Sequence, residues 1–233
     1  MKFNSLIFLL FALLIQLYVL NALSIERFDL PMKLCVEPEK SLVWVGYTFM
    51  VNVSAVDVGD PGLWGYEFKL YYDNTMLECL NVTLPKGHFL TPVNPERIWI
   101  IKCEINQSSG YAVVAVSLWG LESPRRGNGT LATIAFEAKC LGNSTLEFRD
   151  CNFVSNVSGW GDEIVHNGLV QVVPFEDLNL DGLINIKDIA LVGKAFGSYT
   201  GDQRWNPIAD VNKDGNINIL DLALIARNFG KAW

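Results

Sequence analysis

A unit written twice near the carboxyl end constrains this chain more than any other feature. The first copy runs from Asp177 to Gly197 and the second, 33 positions later, from Asp210 to Gly230. Self-similarity at a fixed spacing marks a supersecondary unit used more than once. Oxygen-bearing side chains recur at unit positions 1, 3, 5, 9 and 12, with glycine at position 6. They are Asp177, Asn179, Asp181, Asn185 and Asp188 around Gly182, then Asp210, Asn212, Asp214, Asn218 and Asp221 around Gly215. Position 7 contributes a backbone carbonyl, from Leu183 and Asn216. A loop of this spacing wraps about six to eight hard oxygens round Ca²⁺, with the glycine making the sharp turn. Neither loop holds a thiol or an imidazole, which disfavours zinc and copper. Three carboxylates in each loop repel one another until a cation arrives. A single such loop would read equally well as a solvated Asx-rich turn. Agreement at every ligand position argues instead for two bound Ca²⁺.

After each loop the apolar spacing predicts a helix, through Ile189, Val192 and Phe196 in the first copy and Leu222, Ile225 and Phe229 in the second, with Gly197 and Gly230 as carboxyl-terminal caps. The loop–helix form lacks an entering helix, position 12 is Asp rather than Glu, and the second loop is preceded by Trp205-Asn206-Pro207. On these residues the last quarter of the chain resembles a type I dockerin, the calcium-dependent plug by which secreted polysaccharide-degrading enzymes attach to scaffold proteins. The resemblance implies a small all-α module with partner-facing residues at loop positions 10 and 11, which here are Ile186 and Lys187, then Ile219 and Leu220. Lys194 and Arg227 take equivalent places further along the helices. Two similar binding faces follow from the repeat. The apolar choices depart from the Ser/Thr common in well-known dockerins, which implies a different partner specificity; packing within the module is the alternative for Ile186 and Ile219.

The remainder of the chain is long enough for one medium domain. Residues 1–24 read as a secretory signal: Lys2 is the basic start, residues 6–20 are the apolar run, and small residues precede a cleavage point after Ser24. An uncleaved anchor is the alternative, since the run approaches the length of a membrane span. A net charge of −7 argues against a nucleic-acid partner. Five cysteines (Cys35, Cys79, Cys103, Cys140, Cys151) all precede the repeat, and in an exported chain some pairing is expected, with no pairing favoured. Six Asn-x-Ser/Thr sequons, at Asn52, Asn81, Asn106, Asn128, Asn143 and Asn156, are confined to the same region and suggest a glycosylated surface.

From 25 to 173, short apolar-alternating runs separated by turn residues predict nine strands, at 32–36, 47–53, 64–72, 76–82, 97–104, 111–119, 130–140, 145–153 and 169–173. No helical period of useful length interrupts them. The expectation is a mainly β chain: a nine-stranded jelly-roll β-sandwich followed by the small helical module from 174 to 233. Segments 45–53 (VGYTFMVNV), 64–73 (WGYEFKLYYD), 129–138 (GTLATIAFEA) and 167–170 (NGLV) resemble a cohesin, the socket that receives a dockerin. Related jelly-roll domains bind polysaccharide, and fold alone does not separate the two. In the third strand, Tyr66, Phe68, Leu70 and Tyr72 alternate toward a core, while Gly65, Glu67, Lys69 and Tyr71 face outward. The resemblance places Glu67 where cohesins contact their partner. Trp99, Ile101 and Trp119 are each expected to fill the sandwich; the alternative is that together they form an exposed patch marking a binding surface.

The joint, Val173-Pro174-Phe175-Glu176, is too short to let the modules swing freely, and Phe175 is placed to pack between them. Only two histidines exist, His88 and His166, in no metal or triad pattern, and neither a GxSxG nor a phosphate-cradling loop is present. The expectation is therefore a non-catalytic extracellular adaptor whose partners carry dockerins or cohesins. Self-association is a further option, because one chain carries both kinds of module. The alternative is a carbohydrate-binding surface protein tethered by its terminal module, and an unusual hydrolase stands third.

Overall fold

The computed structural model describes residues 32–120, 122–155 and 164–233. The leader read at 1–24 and the sequon at Asn156 lie outside them.

Eleven strands occur among the described residues: β1 (Lys33–Glu37), β2 (Lys40–Trp44), β3 (Thr48–Leu63), β4 (Gly65–Tyr71), β5 (Leu77–Thr83), β6 (Ile98–Asn106), β7 (Tyr111–Leu118), β8 (Arg125–Ala138), β9 (Gly142–Val154), β10 (Ile164–His166) and β11 (Gly168–Val173). They form two sheets, ordered β10-β1-β3-β8-β5 and β2-β11-β9-β4-β7-β6. The expected count of nine is thus corrected to eleven. The two additional strands, β2 and β10, are short edge strands, each paired in parallel with one partner, β11 and β1 respectively. Neither carries a periodicity of its own. What makes them strands is a register with residues far along the chain, such as Lys40 with Leu169. β3 also runs ten residues beyond its expected end. Register shifts at Val53/Ser54, Ala55/Val58 and Val58/Leu63 let its irregular half keep pairing with β8.

The alternation expected of β4 is present. Tyr66, Phe68, Leu70 and Tyr72 are buried between the sheets with Phe136, Ile134, Leu146 and Val114. The ring of Tyr72 meets Phe136 edge-on at 5.1 Å, and Phe68 meets Phe148 at 5.8 Å. The Tyr66 hydroxyl donates to the Leu131 carbonyl at 2.8 Å, so this polar atom is not stranded in the core.

The expected cysteine pairing is not met: no disulfide joins the cysteines among the described residues. Cys79 is buried in the core and Cys103 packs against it, as small apolar side chains do. Burial pushes the Cys79 thiol up to about 12, and the Cys103 thiol donates to the Val82 carbonyl at 3.4 Å.

Beyond the sandwich stand two helices, α1 (Ile186–Ala195) and α2 (Ile219–Arg227). Each opens with a capping box. Asn185 and Asn218 accept from the backbone two residues on, while Asp188 and Asp221 accept from Asn185 N and Asn218 N at 2.8 and 2.7 Å. Loop positions 9 and 12 therefore also start the helix. Gly197 and Gly230 both adopt positive φ just past the helices, as expected of caps. Phe196 and Phe229 fall outside the helices and are exposed, so the module's core is smaller than the periodicity suggested: Leu178, Ile184, Val192, Ala195, Ala209, Ile217 and Ile225.

Glu122 anchors the segment leading into β6. Its carboxylate, almost fully buried, accepts from Val93 N at 3.1 Å, Asn94 N at 3.2 Å and the Arg125 guanidinium at 3.0 Å. These hydrogen bonds, those from the Val93 backbone foremost, hold its carboxyl below the usual range. A depressed folded pKa contributes stability that is present above the unfolded value and is lost as pH falls through the folded one. Glu122→Gln is expected to lower the midpoint of urea unfolding at pH 7 and to leave it unchanged at pH 2.5. Equal loss at both pH values would assign the effect to packing rather than charge.

Candidate functional site

Two surfaces stand out chemically: the twin acidic loops and the outer face of the β9-β4-β7-β6 sheet.

The loops share one set of backbone-to-side-chain hydrogen bonds. Asp177 Oδ1 and Oδ2 accept from Asp181 N and Gly182 N at 3.2 and 2.9 Å, and Asp210 accepts from Asp214 N and Gly215 N at 3.1 and 2.9 Å. Asn179 and Asn212 each accept from the backbone two residues ahead, at 2.8 and 3.0 Å. Asp181 and Asp214 accept from Leu183 N and Asn216 N, at 3.1 and 2.8 Å. Gly182 and Gly215, both at φ 84°, make the turn that an L side chain would strain. The two halves also clamp each other. Ile184 exchanges backbone hydrogen bonds with Gly230 and Lys231, while Ile217 does so with Gly197 and Ser198. The exit of each helix thus braces the other copy's loop.

Whether these residues fit a cation can be judged from their charges. Asp177, Asp188, Asp210 and Asp221 are all buried. None of the salt bridges among the described residues reaches them. Backbone N–H groups alone satisfy them, and a buried carboxylate without a countercharge is costly. Burial, helped by the like charge of Asp188, pushes the Asp177 carboxyl above the usual range. Among the described residues no three acid, histidine or cysteine side chains converge into a metal cluster by themselves. Each loop's set is a mixture of carboxylate, amide and carbonyl oxygens, which is the chemistry a hard cation such as Ca²⁺ takes. The copies differ at position 11. The Lys187 ammonium lies 2.7 Å from Asp181, whereas Leu220 occupies the matching place in the second copy and leaves Asp214 without a cation. The bond to Lys187 lowers the Asp181 carboxyl, and that of Asp214 is lowered chiefly by the Asn212 amide.

On the sheet, register sets the outward residues in rows. Trp99, Ser117, Gly65 and Val154 form one, and Lys102, Ala115, Glu67 and Asn152 the next. A Cβ on Gly65 would lie 3.0 Å from Ser117 Oγ and 3.1 Å from the Val116 carbonyl, so the small residue keeps the floor low. The result is a shallow cavity of about 290 Å³ between Ile101, Lys102, Glu67, Ser117 and Val154. Glu67 lies 3.7 Å from Lys102, and Lys69 pairs with Asp150 at 2.7 Å. The expectation that Trp99, Ile101 and Trp119 individually fill the sandwich is corrected, because all three are exposed, Trp99 at 68 %. Trp99 and Ile101 lie on β6, an edge strand of its sheet, and Trp119 directly follows its neighbour β7. The Trp119 indole donates to the Glu96 carbonyl at 3.0 Å and its backbone N to the Arg97 carbonyl at 3.2 Å, which ties it to the segment entering β6.

The sequence-derived partner residues are also open. Ile186 and Ile219 are each 65 % exposed, and Leu220, Lys187, Lys194 and Arg227 are exposed beside them. Packing within the module, the alternative for Ile186 and Ile219, is thereby corrected: residues 10 and 11 sit on the first turn of a helix whose inward stripe begins at position 12. The twin loops bring all twelve ligand-position residues into two compact turns, whereas Glu67 lies on the separate sheet face. Of the sequons, Asn52 and Asn81 lie on the opposite sheet, on β3 and β5, and Asn128 Oδ1 accepts from Asp57 N at 2.8 Å. Asn106 and Asn143 lie at strand ends, on β6 and β9. Sequence reasoning missed Trp44, Tyr47 and Lys213, which surround Phe175 between the two modules. Only the chain's return to that corner gathers them, and no motif announces it.

Comparison with known proteins gives the following. Residues 175–230 match the family model described as the dockerin type I domain. No curated protein matches the chain. Among solved structures, the Coh-OlpC–Doc435 type I cohesin–dockerin complex of Clostridium thermocellum is similar at a TM-score of 0.53 and 16 % identity, covering 63 % of this chain and 96 % of that one. The third cohesin ScaC of Acetivibrio cellulolyticus, solved with the ScaB dockerin, gives 0.50 and 14 %, covering 61 % and 99 %. CaCohA2 of Clostridium acetobutylicum gives 0.50 and 18 %, covering 62 % and 92 %. At these identities the likeness is one of fold: the sandwich has the cohesin fold.

Proposed function

We propose that this chain, a cohesin-fold sandwich joined to a type I dockerin module, is a non-catalytic adaptor for calcium-dependent protein assembly outside the cell. The carrying observation is that a plug-type module and a socket-type fold stand in one chain with their apolar faces bare at the same time. Asp177, Asn179, Asp181, Leu183, Asn185 and Asp188 would hold one Ca²⁺, and Asp210, Asn212, Asp214, Asn216, Asn218 and Asp221 a second. Bound calcium supplies the positive charge that the buried carboxylates lack. The chain's own residues do the rest. Asn185–Asp188 and Asn218–Asp221 start the helices, and the helices present Ile186, Lys187 and Lys194, or Ile219, Leu220 and Arg227, to a cohesin-bearing partner. On the sandwich, Glu67 and the Trp99–Ile101 edge would receive a dockerin. The segment at 1–24, with Lys2 at its start and an apolar run after it, and the sequons support export to the cell exterior or surface. No described helix is long and apolar enough to cross a membrane.

A second function has a specific observation behind it. Trp99 and Trp119 are exposed, and Trp99 pairs in register with Ser117, which lines a mainly apolar cavity that also holds Glu67, Lys102 and Asn152; flat aromatic rings with a few hydrogen-bonding groups suit a sugar as well as a protein. Passing the full chain over immobilised cohesin, immobilised dockerin and insoluble polysaccharide, each with Ca²⁺ and with EGTA, separates the two. The adaptor predicts retention on a protein column that is lost in EGTA. Retention on polysaccharide alone, unaffected by EGTA and lost in Trp99→Ala, would replace it with the glycan function. Sedimentation of the chain alone across a concentration series reports any self-association.

A further inference from the structure

The four residues between sandwich and terminal module leave no slack. Pro174 is buried. Phe175 packs against the terminal module's core, and Glu176 accepts from the Asn228 amide, at the end of α2, at 2.8 Å. The sandwich meets them with a corner. Trp44 ends β2, Tyr47 precedes β3, and the turn between them is pinned by Val45 N to the Val173 carbonyl at 2.9 Å and by Gly46 N to the Ala138 carbonyl at 2.6 Å. Tyr47 stacks on Phe175 at 5.3 Å and 14°, and Trp44 meets Phe175 edge-on at 5.5 Å.

Both acidic loops reach this corner. The Trp44 indole donates to the Asp177 carbonyl at 2.6 Å, so position 1 of the first loop is held by the sandwich. The Lys213 ammonium, from position 4 of the second loop, lies 4.7 Å from the Tyr47 ring and 5.5 Å from that of Phe175. Lys213 stands at φ 58°, a left-handed conformation that this side chain adopts only where the surrounding turn imposes it. In this closed turn its ammonium reaches both rings.

We propose that cation occupancy of the loops organises this joint: closing them presents the Asp177 carbonyl and the Lys213 ammonium to the Trp44–Tyr47 corner, and so fixes the angle between the two docking surfaces. This rests on the calcium reading above. Coupling of this kind is reciprocal, so the corner must in turn tighten cation binding. The device sets the relative placement of plug and socket on the same chain and stops the terminal module from folding back.

The test uses the full chain, with calcium titrated by calorimetry and shape followed by small-angle X-ray scattering. Wild type is expected to be most compact in saturating Ca²⁺ and to extend in EGTA. Trp44→Phe keeps a ring and loses the indole N–H. Lys213→Asn removes the charge and tolerates positive φ. The double variant is expected to bind calcium roughly tenfold more weakly and to stay extended at saturating Ca²⁺, while its helical circular dichroism matches wild type. That last measurement separates a loosened joint from an unfolded module. Calcium uptake with the same scattering in Ca²⁺, in EGTA and in the variant would overturn the lock and leave the calcium reading standing. Absence of calcium uptake removes both.

Discussion

Stripping calcium from the full chain with EGTA is expected to erase the helical circular dichroism of α1 and α2 and to leave the sandwich folded. The expectation follows from sizes. Seven buried apolar side chains, two of them alanine, form the module's core, and no disulfide staples it. A unit this small gains about 3–5 kcal/mol from such a core at best. Each bound ion adds about 2.7 kcal/mol at a hundredfold excess over its Kd, so two ions contribute about as much as the core itself. Without them the four buried carboxylates set against that small sum a desolvation cost with no countercharge. The melt of the full chain should therefore resolve into two transitions, the lower one moving with calcium concentration and the upper one fixed. A helical signal indifferent to EGTA would sink the calcium assignment.

The second large effect concerns Ile186 and Ile219. Because the copies repeat the same loop hydrogen bonds and caps, the module is expected to present two near-equivalent faces. Their N-caps have almost the same backbone angles, −147°/−165° and −145°/−164°, and the two isoleucines are equally exposed. If the module docks as proposed, a partner that uses one face could turn round and use the other. Ile186→Asp or Ile219→Asp alone is therefore expected to weaken capture by an immobilised cohesin by about twofold, the loss of one of two equal modes. The pair together should weaken it more than a hundredfold, in the range of a lost interface hot spot of about 2–4 kcal/mol. Both positions are exposed, so folding should be unchanged by circular dichroism. Abolition by one single variant would mean that only one face is used, and a double variant that binds normally would place docking elsewhere.

How far the residues alone foretold this varies with how local the determining interactions are. The acidic loops and their helices were legible because every participant lies within about twenty residues and the pattern occurs twice. The caps and the outward isoleucines follow from the same short-range geometry. The nine alternating strands were legible for a similar reason: a period of two records a buried face whatever its partner. β2 and β10 were not, because they exist only through pairing with β11 and β1. The cysteines misled. Export made pairing the natural expectation, yet their burial depends on which strand face meets which sheet. Trp99, Ile101 and Trp119 misled for the opposite reason. An apolar run reads as core until the sheet order shows that β6, which carries Trp99 and Ile101, is an edge strand, with Trp119 just past its neighbour β7.

Sequence by itself determined that this chain ends in two oxygen-lined turns, each starting a short helix, and that a strand-rich body precedes them. Those are contacts between near neighbours, whose entropy of closure is small. Tertiary structure alone decided that Trp44 and Tyr47 meet Phe175 and Lys213, and that Glu67 shares a face with Trp99. Each of those meetings joins segments remote in the chain. Their partners are chosen by how the two sheets close and where β11 leaves the sandwich, not by any spacing a single strand carries.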